Sequence, residues 1–199
     1  MSSSTKIEWT DATWNPVRGC SPVSPGCANC YAEKQGGRFA GPGRPFDGFI
    51  QIGKNGNPGP HWTGKVELIE HMLDIPLRTR KPTTWFVNSM SDLFHEDLPV
   101  KDRRRVFDVM REASWHTYQI LTKRASIMRD FMQWWVMQHV EQPPRNWWLG
   151  VSVEDQQRKD RIDVLRGVPA AVRFLSLEPL LEDLGTLPKI AYLERQTQA

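Results

Sequence analysis

The sequence has only three cysteines, Cys20, Cys27 and Cys30, in its 199 residues. An odd number of cysteines confined to one short stretch does not make the disulfide framework of a small secreted protein. Long apolar runs are also missing, because no stretch approaches the roughly 18 consecutive apolar residues of a membrane span. The first ten residues, MSSSTKIEWT, lack the apolar segment of a signal peptide. These absences predict a cytoplasmic protein, in which the reduced thiols bind metal.

Excess charge of either sign is small. The 26 basic and 23 acidic residues give a formal net charge of +3, which by itself does not indicate a nucleic-acid partner. Two local basic runs, 78–81 and 101–105, are typical of solvated helix faces or helix ends. A hydrophobic fraction of 39% over 199 residues fits one soluble domain covering 1–199.

Continuous helix or strand is not expected between residues 34 and 64. This segment contains nine glycines and four prolines, which interrupt both kinds of structure. We therefore predict a long loop excursion at 34–64 that begins just after the cysteines. Long loops in compact domains are usually functional or disordered.

Short β-branched and aromatic runs alternate with helical patterns in the rest of the chain. This alternation is typical of a parallel sheet covered by helices, so the predicted fold class is α/β. One helix is predicted from Pro99 to about Ala113, and another after Lys123. The candidate strands are 6–9, 66–69, 84–87, 117–121, 148–153 and 172–176.

Polar residues follow four of these strands. Each is, on its own, as typical of a helix cap or turn as of a binding site. However, the carboxyl ends of parallel strands meet at one edge of a sheet, so their recurrence predicts a shared pocket. The candidate pocket residues are Asn88, Ser89, Asp92, Lys123, Arg124, Glu154 and Glu178.

The cysteine spacing favours a metal site. Cys27 and Cys30 are separated by two residues, which lets both thiolates reach one metal, and Cys20 returns across a proline-stiffened loop of six residues. Gly26 allows a tight approach before Cys27. Three thiolates can hold a four-iron cluster and leave one iron open for a substrate or cofactor.

Two alternatives remain open for these thiols. A structural zinc site needs a fourth ligand, for which His61 and His95 are the candidates. The other alternative is that the cysteines are free thiols in a loop. The order of a strand, the cysteine loop and a series of strands and helices favours the cluster.

Several short motifs are distributed along the chain. They are KIEWTDATWNP at 6–16, GC at 19–20, SPGC at 24–27, CYAE at 30–33, FVNSMSDLFH at 86–95, LTKR at 121–124, LGVSVE at 149–154 and RFLSLEPL at 173–180. Together they resemble the three-Cys-motif phage-protein family, whose function is unsettled. The resemblance covers roughly residues 5–182, and the combined motifs are highly specific.

That family is distantly similar to radical SAM enzymes, which implies a partial (β/α) barrel. The similarity further implies a 4Fe-4S cluster on Cys20, Cys27 and Cys30, with S-adenosylmethionine completing the open iron. This sequence departs from the usual radical SAM pattern, because six residues separate the first two cysteines and the aromatic Tyr31 follows the last one.

The resemblance implies roles for the pocket residues. Lys123 or Arg124 would pair with the methionyl carboxylate of S-adenosylmethionine, and Glu154 would accept its ribose hydroxyls. The remaining polar lining would be Asn88, Ser89, Asp92 and Glu178.

The expected function is therefore reductive cleavage of S-adenosylmethionine to modify an unknown substrate, for which nucleotides or phage DNA are the candidates. The alternative is a zinc-stapled module without catalysis, in which the basic runs contact nucleic acid. Because the resemblance stops near Asp183, we also expect a shortened family member. Its last strand, ending near Ser176, would then have an open edge. Such a chain would either need a partner chain that covers this edge or have low activity.

Overall fold

The computed structural model describes residues 5, 7–54 and 57–187. The first half of the chain contains β1 (Ala12–Trp14), β2 (Val17–Arg18), a 3-10 turn (Pro25–Cys27), α1 (Tyr31–Gly37), β3 (Ile50–Lys54), β4 (Asn57–Trp62), β5 (Glu67–Leu68), α2 (Glu70–Leu73) and α3 (Ile75–Arg78). The second half contains β6 (Thr84–Val87), α4 (Val100–Glu112), β7 (Thr117–Thr122), α5 (Ala125–His139), β8 (Trp147–Ser152), a 3-10 turn (Gln156–Lys159), α6 (Asp160–Arg166) and β9 (Val172–Ser176).

Five strands form one parallel sheet in the order β1-β6-β7-β8-β9. Helices α4, α5 and α6 connect its successive strands from β6 onward, as parallel pairing requires. The predicted α/β class is confirmed. In the described part of the chain the sheet is open rather than closed into a barrel, and β9 is one of its edge strands.

The core lies between one face of this sheet and the helices. Tyr118 and Ile120 alternate along β7 and are fully buried, as the two-residue period of a strand requires. On α4, Val106, Phe107 and Met110 repeat at helical spacing and are also buried. The helix predicted to begin at Pro99 is confirmed, with Pro99 as its N-cap residue. None of the described helices is long and apolar enough to cross a membrane.

Two strand predictions were wrong. The first strand of the sheet is β1, whereas residues 7–9 of the predicted strand 6–9 form a turn and Lys6 lies outside the described residues. Trp9 instead packs on Phe86, with a ring-centroid distance of 4.7 Å. The predicted strand 66–69 shortens to β5, which pairs antiparallel with β2 and is not part of the main sheet. Helix α2 begins immediately afterwards, so little chain is left for a longer strand.

The segment 34–64, predicted as a loop, contains the end of α1 and an antiparallel hairpin of β3 and β4. Phe49, Ile50 and Trp62 are buried there in a small second core, and Cys20 and Cys30 pack against it. A two-stranded hairpin leaves many of its backbone N–H groups unpaired, so it tolerates prolines. The prolines of this segment therefore predicted a loop where a hairpin forms.

Gly19 lies where two backbone segments approach closely, and we expect Gly19→Ala to be strongly destabilising. Its φ is 93°, and a Cβ would lie 1.9 Å from the carbonyl oxygen of Lys65. Because backbone cannot easily move away, we expect the free energy of unfolding to fall by about 3 kcal/mol. Urea denaturation measures this change.

Gly41→Ala is the matched control for that measurement. Gly41 has a φ of 108°, but a Cβ there meets nothing within 4 Å. The free energy of unfolding of Gly41→Ala should therefore fall by only roughly 1–2 kcal/mol, which is the cost of placing a side chain on a backbone with positive φ. Equal losses in the two variants would show that the approach of Lys65 is unimportant.

Candidate functional site

A cavity of about 690 Å³ lies at the carboxyl ends of the parallel strands, beside the cysteine loop. Cys20, Cys27 and Cys30 are free thiols, and all three line it. Six of the seven polar residues predicted from the strand ends also line it: Asn88, Ser89, Asp92, Lys123, Arg124 and Glu178. The seventh, Glu154, is fully buried and contacts the cysteine loop.

The thiols supply a suitable donor set for an iron–sulfur cluster. Burial, followed by the charge of Asp92, raises the pKa of Cys20 to about 12, while Arg124 acts in the opposite direction. A bound metal would supply the positive charge that a buried thiolate at Cys20 needs. Among the described residues, however, no group of three or more His, Cys, Asp or Glu side chains is arranged to hold a metal ion. The fit therefore rests on the donors and their common cavity.

Arg124 connects one end of the cysteine loop to the end of β7. Its guanidinium donates to the carbonyl oxygen of Ser21 at 3.1 Å, to Ser21 Oγ at 2.9 Å and to Asp92 Oδ2 at 3.1 Å, and its Nη1 lies 3.9 Å from Cys20 Sγ. It also donates to Glu96. These contacts occupy the donors of Arg124, so it positions the loop, and its predicted pairing with a methionyl carboxylate stays a prediction.

Charges around Arg124 reinforce this arrangement. Burial disfavours the charged guanidinium, but the hydrogen bond to Glu96 and the charge of Asp92 raise the pKa of Arg124 above its ordinary value. The same hydrogen bond lowers the pKa of Glu96 to about 2. Thr122 Oγ1 also donates to both Asp92 oxygens at 2.8 Å. Arg124 and Glu96 therefore stay ionised together near neutral pH.

Glu154 holds the other end of the loop from the end of β8. Ser24 Oγ donates to its Oε1, and Arg161 Nη1 donates to its Oε2 at 2.8 Å. A Cβ on Gly26 would lie 3.0 Å from the Glu154 carboxyl, so a glycine lets the loop pack against it. Glu154 is fully buried and does not line the cavity, so its carboxylate supports the loop, and its contact with ribose hydroxyls stays a prediction.

The two histidines considered as a fourth zinc ligand differ in their surroundings. His95 is fully buried, with Nε2 2.7 Å from Ser21 Oγ and Nδ1 accepting from the backbone N–H of Asp97 at 3.1 Å. Burial and then the charge of Arg124 lower the pKa of His95. Both of its ring nitrogens are engaged. His61 has a buried Nε2 that lacks a hydrogen-bond partner among the described residues.

Three arginines of the basic runs make polar contacts within the chain. Arg103 is buried and donates to two backbone carbonyls at 2.8 and 2.9 Å. Arg105 forms two hydrogen bonds of 2.6 Å with Glu70, and Arg78 pairs with Asp74 at 2.7 Å. No described residue of either run lines the cavity.

Sequence reasoning did not identify several residues that shape the site. Ser21 and Ser24 could have been suspected because they lie between the cysteines. Arg161 lies in α6 and has no signal in the sequence that ties it to Glu154. Tyr31 donates from its hydroxyl to the carbonyl oxygen of Ser89 and so joins α1 to the end of β6.

A family model described as Protein of unknown function (DUF5131) matches residues 4–193. The chain belongs to this family. The DUF5131 match includes the cysteine loop and every strand end at the cavity, but its description names no activity. The resemblance to radical SAM enzymes therefore remains a prediction. No curated protein and no solved structure gives a significant match.

We expect Glu154→Ala to destabilise the protein and loosen the cysteine loop. Removing one partner of a buried charge pair costs about 3–5 kcal/mol, and here it leaves Arg161 without its carboxylate. Urea denaturation should show this loss. Cys27 should also react faster with a thiol reagent, because Ser24 loses its acceptor.

Asp163→Ala, on the same helix as Arg161, is the control. Asp163 pairs with Arg166 at the surface and its side chain is 66% exposed, so we expect a change within about 0.5 kcal/mol. If Glu154→Ala and Asp163→Ala changed stability and thiol reactivity by equal amounts, Glu154 would not be an anchor of the loop.

Proposed function

We propose that the protein is an iron–sulfur protein of radical SAM type, which binds a 4Fe-4S cluster through Cys20, Cys27 and Cys30 and cleaves S-adenosylmethionine reductively to modify a substrate. The observation that supports this most is the common cavity of the three free thiols at the carboxyl ends of the parallel strands. When bound, the cluster would supply the electron for cleavage of the sulfonium.

The chain itself would hold the cysteine loop in place. Arg124 anchors Cys20 and Ser21, and Glu154 anchors Ser24. A loop positioned in this way before ligands bind loses less conformational freedom when they do.

Lys123 is the cation best placed to pair with the methionyl carboxylate. It lines the cavity, and its Nζ forms an ion pair with Glu154 Oε2 at 3.8 Å, which is longer than a hydrogen bond. Its side chain remains 19% exposed. Arg124, in contrast, is engaged by the loop and by Asp92.

The zinc-stapled nucleic-acid module receives less support. Both ring nitrogens of His95 are hydrogen-bonded, and His61 does not line the cavity that the three thiols share. Arg103 and Arg105 are bound within the chain. Metal analysis separates the two functions, because iron with sulfide supports the enzyme and one zinc per chain supports the module.

Replacing Cys20, Cys27 or Cys30 singly with Ala should abolish cluster incorporation, because two thiolates cannot hold a cluster with one open iron. Iron and sulfide analysis and visible absorption after anaerobic reconstitution measure this effect. Asn29→Ala, in the same loop but without loss of a thiol, should retain its iron. Full iron content in all three cysteine variants would show that these cysteines do not hold a cluster.

Lys123→Ala should weaken S-adenosylmethionine binding and leave the iron content unchanged. Loss of one charged contact is expected to cost about 1.5–3 kcal/mol, which calorimetry on the reconstituted protein would detect. Lys81→Ala removes an exposed cation outside the cavity, so this variant should bind S-adenosylmethionine with unchanged affinity. Equal affinity of the two variants for S-adenosylmethionine would show that Lys123 does not bind the methionyl carboxylate.

A further inference from the structure

The hydrogen bonds of His95 fix which of its ring nitrogens carries a proton. The imidazole is fully buried, and its Nδ1 accepts from the backbone N–H of Asp97 at 3.1 Å. A ring nitrogen that accepts a hydrogen bond has no proton of its own, so the single proton of the neutral ring is on the other nitrogen. That nitrogen, Nε2, lies 2.7 Å from Ser21 Oγ. His95 therefore donates to Ser21.

Ser21 Oγ also accepts a second hydrogen bond. Arg124 Nη2 lies 2.9 Å from it, and a guanidinium can only donate. A hydroxyl has two acceptor lone pairs and one O–H donor. His95 and Arg124 occupy both lone pairs, which leaves the O–H to donate elsewhere. No acceptor for this O–H is found among the described residues.

The O–H of Ser21 lies beside the thiols. Ser21 follows Cys20 directly, is half-buried, and lines the cavity that all three cysteines share. The two ends of one guanidinium contact both residues, since Nη1 of Arg124 lies 3.9 Å from Cys20 Sγ while Nη2 donates to Ser21 Oγ. A donor without an acceptor in the chain, next to a proposed cluster ligand, matches the sulfur atoms of a cluster as its acceptors.

We propose that Ser21 donates a hydrogen bond to a sulfur of the 4Fe-4S cluster near Cys20 and thereby raises the reduction potential of the cluster. The proposal deepens the proposed function and rests on it, because it needs the cluster. Reduction adds one electron, which a low-potential electron carrier would supply, and neither breaks a bond nor moves a proton. A hydrogen bond to sulfur stabilises the added negative charge, so it favours the reduced form.

The neighbours of Ser21 give its hydroxyl one orientation. A serine O–H ordinarily rotates to suit its partners, but it cannot point at either of the two N–H groups that donate to its oxygen. His95 is held by the backbone of Asp97, and Arg124 is held by Asp92 at 3.1 Å. A donor that is already oriented needs no rearrangement when the charge arrives. His95 and Arg124 are therefore positioning residues for Ser21.

The first test needs no cluster. Nitrogen NMR of the full chain, labelled on histidine and free of iron, should show a protonated Nε2 and an unprotonated Nδ1 for His95. The chain has five histidines, so the His95 signals are identified by their loss in His95→Gln. A proton on Nδ1 would overturn the proposal, because Ser21 would then donate to His95 and have no proton left for the cluster.

The second test measures the midpoint potential of the reconstituted protein by anaerobic titration with dithionite, followed by electron paramagnetic resonance. Ser21→Ala should make the midpoint more negative by about 59 mV, which corresponds to a tenfold weaker one-electron reduction. Ser21→Thr keeps a hydroxyl and should retain the midpoint of the unaltered chain. A merely structural role would not separate these two variants by their hydroxyl.

Ser91→Ala is the matched control. Ser91 lines the same cavity, but its hydroxyl donates to the Val17 carbonyl at 2.9 Å, so its loss should leave the midpoint unchanged. If Ser21→Ala takes up no iron, electron–nuclear double resonance of the unaltered protein in deuterated water replaces it. A deuteron at hydrogen-bond distance from the reduced cluster would support the proposal, and its absence would overturn it.

Failure of this proposal and failure of the proposed function give different results. Equal midpoints for Ser21→Ala and the unaltered chain, with full iron and sulfide in both, would refute the role of Ser21 and leave the iron–sulfur function intact. An unaltered chain that takes up no iron and sulfide would refute the proposed function and, with it, the role of Ser21 toward a cluster.

Discussion

Two buried charge networks hold the cysteine loop against the sheet, and the candidate site depends on them. The loop has little regular structure of its own beyond one 3-10 turn, so its shape must come from outside. Arg124 holds the loop near Cys20 through hydrogen bonds to Ser21, and Glu154, which is paired with Arg161, holds it at Ser24. Buried ions are tolerable only when paired and hydrogen-bonded, and these groups meet that requirement.

This anchoring changes how the polar residues at the strand ends are interpreted. Asp92, Arg124 and Glu154 were expected to face a cofactor, but their hydrogen bonds go to the loop and to one another. Lys123 and Asn88 remain as the cavity residues whose polar atoms are less completely engaged. A row of polar residues at the strand ends can therefore contain both residues that support the loop and residues that contact a ligand, and only the hydrogen bonds and ion pairs distinguish them.

The open sheet places this cavity on the side of the strands away from α4, α5 and α6. Gly150 on β8 leaves room for Phe174 of β9, since a Cβ would come within 2.5 Å of its ring. Phe174, on the edge strand, therefore packs over the backbone of Gly150. The edge position of β9 in the described chain agrees with the expected open strand, and a partner chain that covers it remains a prediction.

The sequence by itself determined the α/β class, the helices after Pro99 and Lys123, the strands of the second half and the convergence of strand ends beside three thiols. These features follow from local periodicity and from the common polarity of parallel strands. Tertiary structure alone decided that the first strand is β1, that a hairpin occupies part of 34–64, and which polar groups pair. Arg124 meets Ser21 across 103 residues and Glu154 meets Ser24 across 130. Such contacts leave no local pattern, because they depend on how whole elements pack.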